Sequence, residues 1–303
     1  MPAELSHLTE DIWLPRARAH RDRVHHFADP FLQRRSTQRK HPVEDFLFTY
    51  YTEKPGRLQR WNPGTGVVLW GEAAAERLHW KYHRPHGAGV TFDAAAFMTD
   101  RHRTVAHARS ILAGAASNPA RFSCFGLHEW AMVYQSEQNG VRHDQLPLRL
   151  GAAGTDQVVE GHRIRCTHID AFRFYSPQAV PLNEEQPTRE NQPSLDQPGC
   201  LHANMDLYKW AYKLSAAVPG ELLLATFELA WDIRTMDMRA SPYDLGDWGY
   251  TPIRIETTAG KAEYVRLQQR FAEQANELRL RLLDIADDLF AAAEMDPAPS
   301  NGR

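Results

Sequence analysis

Residues 259–292 read AGKAEYVRLQQRFAEQANELRLRLLDIADDLFAA, and this stretch decides the fold class. Val265, Phe271, Ala275, Leu278, Leu282, Ile285 and Leu289 recur at helical spacing, on or near one stripe of a long amphipathic helix. Such a stripe must be covered, and the segments before it supply the cover. Helices are predicted over 200–217 and 220–239, divided by Pro219-Gly220. Two more are predicted over 92–117 and 118–136, on either side of Ser117-Asn118-Pro119. Residues 8–38 read as one or two helices interrupted near Pro15 and Pro30, because proline removes a helical hydrogen bond and clashes with the preceding turn. Pro42 opens HPVEDFLFTYY (41–51), where its missing N–H does no harm. GTDQVVEGHRIRCTHIDAFRFY (154–175) begins as a helix or strand and ends extended.

Strand signals are few: GVVLWG (66–71) and, more strongly, PIRIET (252–257). Residues 176–199, SPQAVPLNEEQPTRENQPSLDQPG, hold five prolines among polar residues. They predict a long, poorly packed loop that acts as a lid, since it joins two segments with candidate site residues. No repeat of solenoid length is present. The expected architecture is mainly α: one helical domain over 1–293 with a few short strands and a disordered tail at 294–303.

Composition bounds the class. The chain has 303 residues, 43% hydrophobic and 10% aromatic, which is ordinary globular usage. No run approaches the roughly 18 apolar residues of a membrane span, and the charged N-terminus does not read as a signal peptide. The expectation is a soluble, cytoplasmic protein, and nothing points to a protein partner. The formal net charge is −3, yet residues 1–60 carry 11 Lys/Arg against 8 Asp/Glu, and Arg101, Arg103 and Arg109 form a second basic patch. A local basic face can bind nucleic acid, although a solvated helix face is the commoner meaning of either patch. Three separated cysteines without a CxxC pair argue against a disulfide framework or a zinc ribbon.

The chemistry centres on three histidines. His128 lies in CFGLHEWAMVY, His168 in CTHIDAFRFY and His202 in GCLHANMDLYKWAYKL. Each follows a cysteine by two to four positions and stands within four residues of an acid. Aromatic surroundings imply burial, and a buried imidazole needs a partner. All three are therefore expected to converge on one pocket. His202 and Asp206 share a helix face, and His168 and Asp170 share one side of an extended chain. Together His128, His168, Asp170 and His202 could ligate iron, manganese or zinc. No HExxH or paired ExxH pattern is present, so each histidine could equally be a hydrogen-bonded core residue.

A second constellation is FELAWDIRTMDMRASPYDL (227–245). Glu228 and Asp232 lie at i, i+4, followed by Arg234, Asp237, Arg239, Tyr243 and Asp244. Paired carboxylates can serve as acid and base, while the interleaved arginines suggest a structural ion-pair network. Trp61, Trp70, Trp80, Trp130, Trp210 and Trp231, with Tyr50, Tyr51 and Tyr208, could stack on a cationic, electron-poor ring, although most tryptophans are core residues.

The blocks HPVEDFLFTYY, RLQRWNPG, CFGLHEWAMVY, CTHIDAFRFYSP, QPGCLHANMDLYKWAYKL, FELAWDIRTMDMRASPYDL and PIRIETTAGKAEYV resemble a bacterial, mainly actinobacterial, family commonly labelled 3-methyladenine DNA glycosylase. The similarity covers roughly residues 40–290. It implies a DNA-repair N-glycosylase that removes alkylated purines without a cofactor. The helix-hairpin-helix LPGxG motif of well-understood glycosylases is absent, so no catalytic position carries over. Within this reading Asp206, Asp232 or Glu228 would support the oxocarbenium-like transition state. Trp210, Tyr208, Trp130, Arg239 and Tyr243 would hold the flipped base in alkylated DNA. Two other readings stand beside it: a metal-dependent enzyme acting on a small molecule through the His/Asp cluster, and a non-catalytic ligand-binding protein.

Overall fold

In a computed structural model, described for residues 5–141 and 145–295, the long predicted helix is α12, Thr258–Met295. Tyr264, Gln268, Phe271, Ala275, Arg279, Leu282, Ile285 and Leu289 form its buried stripe. Two polar members therefore share the face expected to be apolar. Gln268 Nε2 donates to Gly199 O at 2.6 Å, and Arg279 Nη2 donates to Asn204 Oδ1 at 2.5 Å. Burial lowers the Arg279 guanidinium to about 10. Each thus ties the stripe to the start of the neighbouring helix.

The chain order begins with β1 (Ser6–Leu8), α1 (Glu10–Ser36), α2 (Phe46–Tyr50) and α3 (Pro55–Leu58). Three strands follow: β2 (Val67–Trp70), β3 (His83–His86) and β4 (Gly89–Phe92). Then come α4 (Ala94–Ser117), α5 (Leu127–Ala131), α6 (Ser136–Asn139), α7 (Gly151–Glu160) and α8 (Ile169–Phe172). Next are α9 (Gln192–Leu195), α10 (Leu201–Lys213), α11 (Gly220–Ala240) and α12. The fold is mainly α, as expected. The strands form one small sheet, β1-β2-β4-β3, with β1 parallel to β2 and the other pairs antiparallel. One hydrophobic core runs from Val24 in α1 to Leu289 in α12, with α10 and α11 at its centre. Among the described residues no helix is long and apolar enough to cross a membrane.

Four expectations need correction. First, α1 is a single helix that passes through both prolines. Pro15 and Pro30 are exposed, as are Asp11 and His26 four residues before them. Water can satisfy the carbonyls that each proline leaves without a donor. Second, residues 118–136 hold only the short α5. Pro119 starts an irregular stretch, and Phe125 (φ 50°) and Gly126 (φ 71°) turn left-handed just before α5. Third, residues 252–257 form no strand. Ile253 and Ile255 are fully buried, but the segment meets the end of α11, Ile253 N donating to Arg239 O at 2.8 Å, and finds no sheet edge.

Fourth, residues 176–199 are closely packed. Polar side chains do here what a ladder does elsewhere, satisfying backbone groups one by one. Asn183 bonds Cys166 N at 2.8 Å and Cys166 O at 2.9 Å. Asn118 Nδ2 donates to Asp196 O at 2.8 Å, and Gln197 Oε1 accepts from Arg121 N at 2.8 Å. α9 lies so close to α4 that a Cβ on Gly114 would come within 2.0 Å of Pro193 O. α12 extends to Met295, and the rest of the expected tail lies outside the described residues.

Glu53, between α2 and α3, is buried, and burial raises its carboxyl from 4.5 to about 7 against the pull of Arg57 and Arg60. The folded state therefore keeps a proton that the unfolded chain releases, so stability falls as pH rises from 4.5 through about 7. Glu53→Gln should remove that fall. Calorimetry should show a gain on the order of 1 kcal/mol near pH 8, after discounting for solvent screening, and none near pH 4.

Candidate metal centre and adjoining cleft

The three histidines meet. Left-handed Gly126 starts α5 and sets His128 inside the core. His202 is the second residue of α10, and His168 stands at the N-terminal boundary of α8. The His128 and His202 ring centres are 4.4 Å apart, edge to face, and His202 and His168 are 5.5 Å apart and nearly parallel. His128 and His168 are buried, whereas His202 keeps some exposure.

Each end of this row has a carboxylate. His128 Nε2 lies 3.1 Å from Asp237 Oδ2 on α11, and Cys124 Sγ lies 3.7 Å from its Nδ1. At the other end His168 Nε2 is 3.4 Å from Asp206 Oδ2 on α10. Burial alone would lower the pKa of His128, but Asp237 raises it well above its ordinary value. His168 follows the same pattern, with Asp196 and Asp206 overriding burial. His202 goes the other way: burial, then repulsion from His128, drives it well below its ordinary value against the weaker pull of Asp237 and Asp206. It is the neutral imidazole of the three. Asp206 is held below the usual carboxylate range despite burial, by Lys209 and His168, and its Oδ1 accepts from Tyr51 OH at 3.1 Å.

His128, His202 and Asp237 each offer a donor atom, and these lie within 4.8 Å of one another. Asp237 Oδ1 is buried without a hydrogen-bond partner, so the carboxylate has an unused oxygen. Arg234 Nη1 lies 3.9 Å from Asp237 and donates to Glu129 Oε1 at 2.9 Å. The predicted ligand set is thus regrouped. Asp170 is an ion-pair hub, held by Arg189 through both oxygens, by Arg173 at 3.0 Å and by Lys209 at 3.4 Å. Asp237 stands where Asp170 was expected, beside His128 and His202. The available signal was its setting between Met236 and Met238, three residues after Arg234 on the same buried face of α11.

A small cavity reaches His168, His202, Asp206 and Arg234, and Tyr50, Tyr51 and Asp170 line both it and a larger cleft of about 630 Å³. Trp210 lines the cleft. Tyr208 is a core residue between Tyr51 and Phe227. Asp232 is exposed on α11, and Glu228 pairs with Arg23 at 2.6 Å on the α1 side. Trp130 is sealed, donating to Ala240 O at 2.9 Å. Arg239 reaches Thr251 O, and Tyr243 packs with Val133, Leu146 and Met238. None of these last five lines the cleft or its inner cavity. The lid segment does reach the cleft, through Arg189 and Gln192. Compared with models of protein families, with curated proteins and with solved structures, the chain matches none of them.

Proposed function

We propose that this protein is a metal-dependent enzyme, with His128, His202 and Asp237 as the metal ligands and a small molecule entering through the adjoining cleft. The convergence of two imidazoles and a carboxylate with an unused buried oxygen carries this reading. Such a donor set suits iron(II), manganese or zinc. Protein ligands to these ions stand roughly 2.0–2.2 Å from the metal, so donors up to 4.8 Å apart have to draw in somewhat. Cys124 beside His128 and Arg234 beside Asp237 would orient the ligands from behind.

Bound there, the ion would supply a Lewis acid with positions free for water or substrate. The chain's own contribution lies next to it. Lys209 and His168 keep Asp206 ionised at the inner cavity, and Tyr51 OH fixes one of its oxygens. Asp206 is therefore a fixed negative charge beside the site, suited to steadying positive charge rather than to taking up a proton.

Elemental analysis after dialysis against chelator and reconstitution tests this reading. About one equivalent of iron, manganese or zinc is expected. His202→Ala should weaken binding at least tenfold, by analogy with the losses seen even for outer-shell changes. His168→Ala should keep the metal. Wild-type protein that retains no divalent ion would overturn the reading.

The glycosylase reading has one observation in its favour: an ionised, buried Asp206 on the inner cavity, which shares Tyr50 and Tyr51 with the basic cleft. It calls for release of 3-methyladenine from methylated DNA without metal, abolished by Asp206→Asn. A stoichiometric metal with no base release would exclude it.

A further inference from the structure

The cleft over the candidate centre is strongly cationic in a chain of net negative charge. Arg103, Arg173, Arg189, Lys209 and Lys213 line it, and Asp170 is the one carboxylate in that lining among the described residues. Asp170 already serves Arg189, Arg173 and Lys209, and Asp206 behind it serves Lys209 again. Two carboxylates thus face five cations. Arg103 and Lys213 make no ion pair among the described residues.

The neighbours add no compensation. Burial and then repulsion from Lys209 and Arg101 lower the ammonium of Lys213. His107 is lowered by burial and then by Lys209, Lys213 and Arg189. Like charges converging on a concave surface cost free energy that a bound anion would relieve.

The walls also carry flat apolar faces. Trp210 is buried against His107 at 5.4 Å and under Lys209 at 4.9 Å, and Tyr51 and Tyr212 are buried as well, so the half-buried ring of Tyr50 is the face the cleft offers. Hydroxyl and amide groups of Thr52, Thr104 and Gln192 complete it. A volume of about 630 Å³ falls in the range of small-molecule sites.

We infer that this cleft binds a phosphorylated small molecule carrying a planar ring, with Arg103 and Lys213 meeting the phosphate and the half-buried Tyr50 the ring. This would be the substrate class of the centre beneath, and only that catalytic meaning rests on the metal reading; the binding does not. The order of the parts fits, because Tyr50, Tyr51 and Asp170 line both the cleft and the cavity that reaches His202.

Calorimetric titration of full-length, metal-free protein with AMP and with inorganic pyrophosphate tests the inference. At low salt both should bind at micromolar to sub-millimolar concentrations, AMP the tighter because its purine stacks. Arg103→Ala/Lys213→Ala should weaken both at least tenfold without lowering thermal stability, since it relieves repulsion in the cleft. Tyr50→Leu should weaken AMP more than pyrophosphate, a difference that general loss of structure would not produce. A short single-stranded oligonucleotide is the comparison ligand. If it binds while AMP and pyrophosphate do not, the site reads a polymer and the inference is wrong. Undiminished AMP binding by the double variant also overturns it. Metal content measured on the same samples keeps the two ideas apart: anion binding without any metal ends the enzyme reading alone, and metal without anion binding ends this one.

Discussion

Asp237→Ala should lower the stability of the metal-free protein by about 3–5 kcal/mol, the range for deleting one partner of a buried ion pair. The Asp237 side chain has no exposed surface, and its partner His128 is 2% exposed. Removing the carboxylate leaves a buried imidazole without its main counter-charge and leaves Arg234 with Glu129 alone. Asp237→Asn keeps the volume and one acceptor, so its cost should be clearly smaller. Urea unfolding followed by circular dichroism measures both. An alanine variant within about 1 kcal/mol of wild type would show that the pair does not support the fold, since surface changes are the ones that stay that small.

Gly114→Ala gives a test whose sign is informative. In an open helix the change should stabilise by up to about 1 kcal/mol, because alanine is the better helix former. Here the added methyl would lie within 2.0 Å of Pro193 O, and a backbone oxygen cannot swing aside as a side-chain tip can. Overpacking of this kind costs about 3 kcal/mol at its upper end, so a net loss of roughly 2 kcal/mol is expected. The strain should open residues 176–199 to limited proteolysis. It should also weaken any ligand of the cleft, because Arg189 and Gln192 come from that segment. A more stable, protease-resistant variant would mean that α9 does not press on α4.

Long helices were legible in the sequence, and short-range contingencies were not. α10, α11 and α12 carry periodic apolar faces and end at turn residues, so burial alone predicts them. Of the short strands, β2 was legible as the apolar run GVVLWG, whereas HRPH at β3 has no apolar alternation at all. The packing of 176–199 was hidden because asparagine and glutamine side chains hold it, and composition reads those as solvated. The meeting of His128, His168 and His202 could be foreseen from their shared aromatic setting. The exchange of Asp170 for Asp237 could not. Three cations from three segments claim Asp170, and spacing along the chain carries no record of such competition.

The distribution of the centre along the chain also has a consequence for biogenesis. Its donors come from α5, α10 and α11, and Tyr264 and Gln268 of α12 line a small cavity with His128 and His202. A nascent chain that has not yet released α12 has both histidines but lacks one wall of their enclosure. Contacts this distant in sequence form late, after the long loops between them have closed. If the proposed centre holds a metal, its capture should therefore wait until α12 has packed, and a chain truncated before α12 should bind the ion more weakly than the full chain.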